Sequence, residues 1–585
     1  MIHTDDVDWT ATHLPGQVCG VPGYLRNMLS LAPAVRTEAF EGFYAEAHDH
    51  GAVDPCTAMS LPLLFDMADD SATLDRAEIV RLLLSIGRES AGHDPEDVYF
   101  TVNGVESTAH VEITAKMTDR ADCFVHYAED PDPSVRRPAI QAVGLFFADG
   151  RRAARILAGR LPAEDGIVER LLVIRTLARL AARLPEVRAT VAALLDKLID
   201  GTDTDALVRL AVLTQQAFID PDRATAGLVP HAISLLREIT ATSTAQKPCD
   251  GCGRCMSPLY VRGHEVASTV RRPAHLATAR FDPDHPWEEH SPVSSVLRTL
   301  HTTLGDRIAE RTALLVAQLT CPDAAIRYDA IAMTKDLPGT LPRPVLASLL
   351  DLLQDDWAAA RIIQGGFSQW WGGRLRIAPE DTELLLDTLA DHMATLRAAH
   401  GPDVWATDNA VVREAYQEAV MTLADHRDPR ALPDLIRSLE TRVDDWRALY
   451  GVGGYPQAAH RLVPLLADGL QDINPARPTA PIPAGLYLSC LADLKNPIAI
   501  PVLTNTLVRA ARHQNWGMVT DALDALAAFG PDAQPAHPFV DPLTHAPDEP
   551  VRAAARATLN ALTDPQAPRS ARPKAGNSYS AEPPQ

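Results

Sequence analysis

The segment CDGCGRC brings three thiols close together, Cys249, Cys252 and Cys255, and His264, His275, His285 and His290 follow within the same stretch of chain. Thiolate and imidazole are the groups that bind zinc, and a structural zinc takes four protein ligands with no open position. Cys249, Cys252, Cys255 and His264 therefore form a candidate set for one structural zinc, with His275, His285 and His290 as alternative fourth ligands. Two other readings stay open: three unliganded thiols in a loop, or an iron–sulfur site, for which a nearby fourth cysteine is lacking. The surrounding 241–290 stretch is rich in Pro, His and Asp and poor in apolar side chains. Long loops of this kind need something to order them, and a metal does so by tying its binding energy to folding. The expectation is a closed, non-catalytic site.

Two further groups of residues invite a chemical reading. Glycine-rich segments carry Trp370 and Trp371 in one place and Trp446, Tyr450 and Tyr455 in another. Trp and Tyr are enriched at binding hot spots, so these five form a candidate protein-binding edge; the alternative is that they plug gaps in a core. Between 151 and 188 there are nine arginines against four acids, and Arg175, Arg179 and Arg183 recur at every fourth position. On a helix that spacing sets three cations on one face. Such a face serves phosphate recognition or is simply solvated. The glycine runs GVGGY and GGFSQWWGG follow no predicted strand, which excludes a nucleotide-binding turn.

The elements that must position these residues are helical. In DPDPSVRRPAIQAVG, starting at Asp130, an acid-rich turn leads into Val135 and Arg136, and Val135, Ala139, Ala142 and Phe146 follow helical spacing. Partial copies recur in CPDAAIRYDAIAM from Cys321 and APDEPVRAAARATL from Ala546. A second pattern, LPDLIRSL, VPLLADGL and IPVLTNTL, carries Pro433, Pro464 and Pro501. Proline is tolerated in the first turn of a helix, where its missing N–H has no partner, so each reads as a helix start, as do Pro62 and Pro230. Their separations, 31 and 37 residues, are those of a repeating helix pair. The stretch 98–113 breaks the pattern and predicts a short hairpin around Asn103 and Gly104. Residues 564–585 are polar and proline-rich and predict a disordered tail.

The Asp-x4-Val-Arg-x2-Ala turn and helix, together with DPRALPDLI at 428–436, resembles HEAT repeats of the lyase-related type. That resemblance implies an all-α fold, a right-handed, armadillo-type α-solenoid of stacked HEAT-like helix pairs, used as a scaffold and tied to no single activity. It divides the chain into N-terminal repeats at 1–240, the Cys/His-rich insertion at 241–290, C-terminal repeats at 291–563 and the tail. It also implies an Asp–Arg interaction between adjacent turns, carried by Asp130 and Arg136, with Cys321 standing where the second copy needs its acid. The iron-binding HEAT hydroxylases use several His-Glu pairs, of which His264-Glu265 is the one present, so that activity is not expected. The opening VDWTATHLPGQVCGVPGYL is similar to bacterial HEAT proteins encoded near toxin genes, which implies an immunity or regulatory role with a toxin-related partner.

Charge narrows the choice. A formal net charge of -22 opposes nucleic acid, whose phosphates need a positive field. Six of the 54 basic residues are lysine, a skew that accompanies abundant Ala, Pro and Gly and carries no recognition signal. No continuous apolar stretch reaches the roughly 18–20 residues that span a bilayer, and the acidic start lacks a leader pattern, so a cytoplasmic location is expected. The sequence therefore predicts a non-catalytic protein–protein interaction scaffold with an unknown protein partner and no cofactor beyond one structural zinc. The alternative is a HEAT-like enzyme or nucleic-acid-binding protein acting through the arginine-rich face at 151–188.

Overall fold

The computed structural model describes residues 9, 19–48, 53–92, 101–102, 105–106, 108–199, 205–221, 227–242, 292–354, 375–443, 445–476 and 484–564. They belong to two compact units, Met1–Asp329 and Ala330–Gln585. Both are helical. In the first unit five helices stack in a row, each on the next: α1 (Arg76–Ala91), α2 (Pro133–Phe146), α3 (Ile167–Arg183), α4 (Ala206–Ile219) and α5 (Pro292–Leu304). Further helices lie alongside, Pro55–Asp69 against α1, Ala121–Tyr127 against α2, Gly150–Arg160 and Pro185–Ile199 against α3, and Leu228–Thr242 against α4. The second unit repeats the plan with α6 (Ala410–Asp425), α7 (Asp445–Val452), α8 (Ala484–Asp493), α9 (Trp516–Ala527) and α10 (Glu549–Thr563). Its companion helices include Leu432–Thr441 against α7 and Ile500–Arg512 against α9.

The first unit ends at Asp329. Helices on either side of the Cys/His-rich insertion share its core, since α5 lies on α4 and Ile308–Leu319 lies on Leu228–Thr242.

Local sequence sets each helix start. The side chain of Asp132 accepts from Ser134 N at 2.8 Å, and Pro133 occupies the first turn, so α2 begins where an N-cap and a proline coincide. Its predicted apolar positions Val135, Ala139, Ala142 and Phe146 are all buried. The same capping recurs at Asn409, Asn515 and Asp548 for α6, α9 and α10. Pro433 and Pro501 fall in first turns as expected, whereas Pro62 and Pro464 lie inside their helices. At Pro62 the reason is visible. The carbonyl of Ala58, four residues back, loses its helical donor and instead accepts from Lys116 Nζ at 2.9 Å. The hairpin is present as Thr101–Val102 paired antiparallel with Val105–Glu106. It is shorter than the 98–113 stretch suggests, since Ala109–Asp119 is already helix.

One arginine device recurs through both units. Arg136 Nη1 donates to the carbonyls of Asp130 and Pro131 at 2.9 and 2.8 Å. Arg327 does so to Cys321 and Pro322, both at 2.8 Å, and Arg552 to Ala546 and Pro547 at 2.7 and 2.9 Å. Arg36 reaches Ser30 and Leu31, and Arg413 reaches Thr407. In each case an arginine near the start of a helix folds back on the preceding turn and satisfies carbonyls that no helix ladder reaches. This corrects the expected Asp–Arg pairing. The carboxylate of Asp130 pairs with Arg76 instead, and Arg136 uses the Asp130 backbone. Cys321 therefore serves as well as an acid, because only its carbonyl is needed. Val35-Arg36 and Val412-Arg413 are further copies of the Val-Arg signal, and both are legible once the clamp is known.

The first unit also buries a titratable group. His301 in α5 is buried, with Nε2 2.7 Å from Gln318 Oε1, and burial pushes its pKa down to about 4, aided by Arg311 and Arg298 and opposed by the Gln318 bond. The unfolded histidine takes up a proton near pH 6.5 while the native one stays neutral, so this contribution to stability is present above about 6.5 and is lost as pH falls toward about 4. A His301→Gln chain has no such group. The difference in urea midpoint between the native chain and this variant should shift against the native chain between about pH 7 and about pH 5; a pH-independent difference would contradict the burial argument.

Candidate binding surfaces

The arginine-rich segment 151–188 does not form one face. Arg160 and Arg136 converge on Glu164, whose side chain is fully buried, at 2.5 and 3.1 Å. Arg137 holds Glu169 at 2.8 Å, and Arg152 holds Asp122 at 2.6 Å. Two of the segment's four acids are thus claimed by arginines from outside it as well as within it. α3 also carries the run Arg175, Arg179 and Arg183.

These three line one cavity of about 180 Å³ between α1, α2 and α3, joined by Arg88 from α1 and Gln141 from α2. Its apolar lining comes from Leu84 and Leu145. Arg88 Nη2 donates to Gln141 Oε1 at 2.8 Å, which fixes both side chains at the cavity wall. Arg183 Nη2 donates to the carbonyls of Gly144 and Phe147 at 2.9 and 3.2 Å. A cation at the carboxyl end of a helix meets carbonyls without helical donors and the negative end of the dipole, so Arg183 anchors α3 to the end of α2. Gly144 permits this approach. A Cβ there would stand 2.3 Å from Thr176 Cγ2. Arg175 is buried, while Arg179 and Arg183 are exposed. Among the described residues lining the cavity there is no acid. Beyond Arg175 a smaller cavity of about 20 Å³ continues along the row, lined in part by Gln215, Ser295 and Thr299.

The second unit carries part of the expected aromatic edge. Trp446 and Tyr450 sit on successive turns of α7, edge to face with ring centroids 6.3 Å apart. Trp446 is 38% exposed, and the Arg447 guanidinium lies 5.1 Å from its ring centroid. Arg447 is in turn pinned by Glu418 of α6 at 2.5 Å, a carboxylate with 3% exposure. Tyr455 is placed differently. It is fully buried, and its hydroxyl donates to the Asp428 carbonyl at 2.8 Å, so it belongs to the core and not to the edge. Trp370 and Trp371 lie outside the described residues. So do Cys249, Cys252, Cys255 and His264. Among the described residues no group of three His, Cys, Asp or Glu is arranged to hold a metal ion, and no helix is long and apolar enough to cross a membrane.

The spacing in the sequence marks the α3 arginines but not Arg88 and Gln141, which line the same cavity. Each lies in a different helix, and the stacking of three helices brings them together.

No known protein family and no curated protein matches the chain. Solved structures with similar chains include importin beta, at 13% identity and TM-score 0.39, covering 92% of this chain and 71% of that one. A chain from a structure on the interaction between cadherin and beta-catenin is similar at 15% identity and TM-score 0.35, covering 86% of this chain and 99% of that one. The karyopherin Kap121p is similar at 14% identity and TM-score 0.32, covering 93% and 61%. The packing within each unit defines the fold on its own terms: apart from one short hairpin, the described residues form stacked HEAT-like helix pairs whose turns are clamped by arginine.

Proposed function

We propose that this chain is a non-catalytic binding protein whose helix pairs present a surface to a protein partner. The observation that carries the reading is the Trp446–Tyr450–Arg447 cluster on α7. Trp, Tyr and Arg are the residue types that dominate binding hot spots, and here they are held in place before any partner arrives. Edge-to-face stacking fixes the Trp446 ring, and the buried Glu418 fixes the arginine over it. A preordered anchor loses less side-chain freedom on binding than a mobile one. The test is affinity capture from the native host with the native chain and a Trp446→Ala chain side by side. A partner retained in near-stoichiometric amount by the first and lost by the second is the expected result; equal retention by both would remove α7 from the interface.

The nucleic-acid alternative is weakened by the fate of the arginines, since Arg152 and Arg160 are committed to ion pairs and the whole chain carries -22. Duplex DNA should not be retarded at physiological salt. The Cys249, Cys252, Cys255 and His264 set is proposed to hold one structural zinc. Elemental analysis of protein purified without chelator or histidine tag should find near-stoichiometric zinc, lost when Cys249 and Cys252 become Ser; three freely titrating thiols and no metal would refute it.

A further inference from the structure

We propose that Cys19 and Cys56 form a peroxide-sensitive dithiol whose oxidation to a disulfide staples the start of the Val21–Asn27 helix to the start of the Pro55–Asp69 helix. The inference is independent of the partner surface on α7. Two anchors bring the cysteines together. The backbone N–H of Gly20, next to Cys19, donates to Glu46 Oε1 at 2.6 Å. The hydroxyl of Thr57, next to Cys56, donates to the Ala47 carbonyl. Glu46 and Ala47 are adjacent in the last turn of Pro33–Ala47, so one helix end holds the neighbours of both thiols. The Val21–Asn27 helix packs on both Pro33–Ala47 and Pro55–Asp69. Cys19 itself packs on the core to which Cys56 belongs, and it stands near enough to act electrostatically on the Cys56 thiol.

The surroundings of the two thiols give them different parts. Cys19 is half-buried and within reach of a small oxidant, while Cys56 is buried. Burial pushes the Cys56 thiol up, aided by Asp54, Cys19 and Glu46 and opposed by the Thr57 backbone. A thiol that resists ionisation is a poor first nucleophile, so Cys19 meets the oxidant and Cys56 resolves the product. With hydrogen peroxide, the Cys19 sulfur attacks one peroxide oxygen and the O–O bond breaks. The departing hydroxide takes the thiol proton and leaves as water. The Cys56 sulfur then attacks the sulfur of the Cys19 sulfenic acid, so that an S–S bond forms, the S–O bond breaks and the hydroxyl leaves as a second water with the Cys56 proton. Two thiols lose two electrons in all, and one peroxide is reduced to two waters.

The staple falls where the fold needs holding. Val21–Asn27 has seven residues, too few to stay helical without tertiary contacts. A disulfide between its start and the Pro55–Asp69 helix closes a loop that the unfolded chain otherwise samples openly, and that restriction favours the folded state. The other described thiols have different surroundings. Cys123 bonds the Arg120 side chain, and Cys321 is buried in a separate core with helices α4 and α5. Cys490, in the second unit, donates to the Leu449 carbonyl at 2.6 Å.

The experiment treats the full chain with hydrogen peroxide, caps the remaining thiols with N-ethylmaleimide and digests it with trypsin in the absence of reductant. Cys19 and Cys56 are then the single cysteines of two peptides, ending at Arg26 and Arg76. Mass spectrometry should find most of both peptides joined, lighter than their sum by two hydrogens, and separated again by dithiothreitol. Oxidation should also raise the urea midpoint of the Met1–Asp329 unit, and dithiothreitol should reverse the rise. Cys19→Ser should abolish both the joined peptides and the rise, with Cys19→Ala as a second variant should the serine disturb folding as judged by circular dichroism. Separate alkylation of the two peptides after oxidation, Cys19 joined to a different cysteine, or Cys19 carried on to sulfinic acid would overturn the proposal. So would a joined pair with an unchanged urea midpoint, or a rise that persists without Cys19.

Discussion

Replacing Glu164 with Ala should lower the stability of the Met1–Asp329 unit by about 3–5 kcal/mol, the range expected when one member of a buried ion pair is removed. The carboxylate has no exposure, and it receives Arg160 on one oxygen and Arg136 on the other. Its loss would leave two guanidiniums, each less than one-fifth exposed, without the negative charge that offsets their desolvation. The damage would not stay local. Arg136 also clamps the Asp130 turn that leads into α2, so a guanidinium drawn toward water would release those carbonyls too. Glu164→Gln should cost less, because the amide oxygen still accepts one hydrogen bond. Urea denaturation followed by helical circular dichroism is the measurement. The alanine variant should show part of its amplitude moving to lower denaturant, and an unchanged curve would mean that the triad contributes nothing to folding.

Tyr455→Ala should destabilise the second unit by about 3–5 kcal/mol, the cost of emptying a large buried aromatic site. Tyr455→Phe should cost about 1 kcal/mol, the net worth of an ordinary hydrogen bond, here the one to the Asp428 carbonyl. Trp446→Ala should behave oppositely to the first, with little effect on thermal unfolding, because the ring is more than one-third exposed and packs mainly on Tyr450 and Arg447. The pair separates two roles that composition alone does not distinguish. Should Trp446→Ala prove as costly as Tyr455→Ala, Trp446 is a core plug and the proposed partner surface on α7 loses its anchor.

The division between these aromatics shows where reading a sequence stops. Trp446, Tyr450 and Tyr455 fall within one short stretch, and aromatic content gives no sign of which faces solvent. The answer depends on the Asp428 turn, whose carbonyl takes the hydroxyl of the buried Tyr455, while Trp446 on α7 stays more than one-third exposed. The arginines behave in the same way. Local charge marks 151–188 as a basic block, yet its ion pairs reach Asp122, Arg136 and Arg137 in other helices, and the cavity also takes Arg88 from far upstream.

The helical class, the helix starts and the repeat are legible in the residues alone, because these follow from interactions within a few residues. An Asp or Asn caps the next turn, a proline fits the first one, and apolar residues at helical spacing must find a common core. The Val-Arg signal was legible for the same reason, since its arginine bonds carbonyls only five and six residues back. Even there, the partner atom was misread. A sequence lists side chains and so suggests pairing through the Asp130 carboxylate, whereas the clamp uses the backbone that every residue has. Which arginines share a cavity, which acids lie buried between them and where the compact units divide are set by packing between helices. Those outcomes depend on which helices lie side by side after stacking, and a guanidinium within reach of a carboxylate can be 28 residues away along the chain.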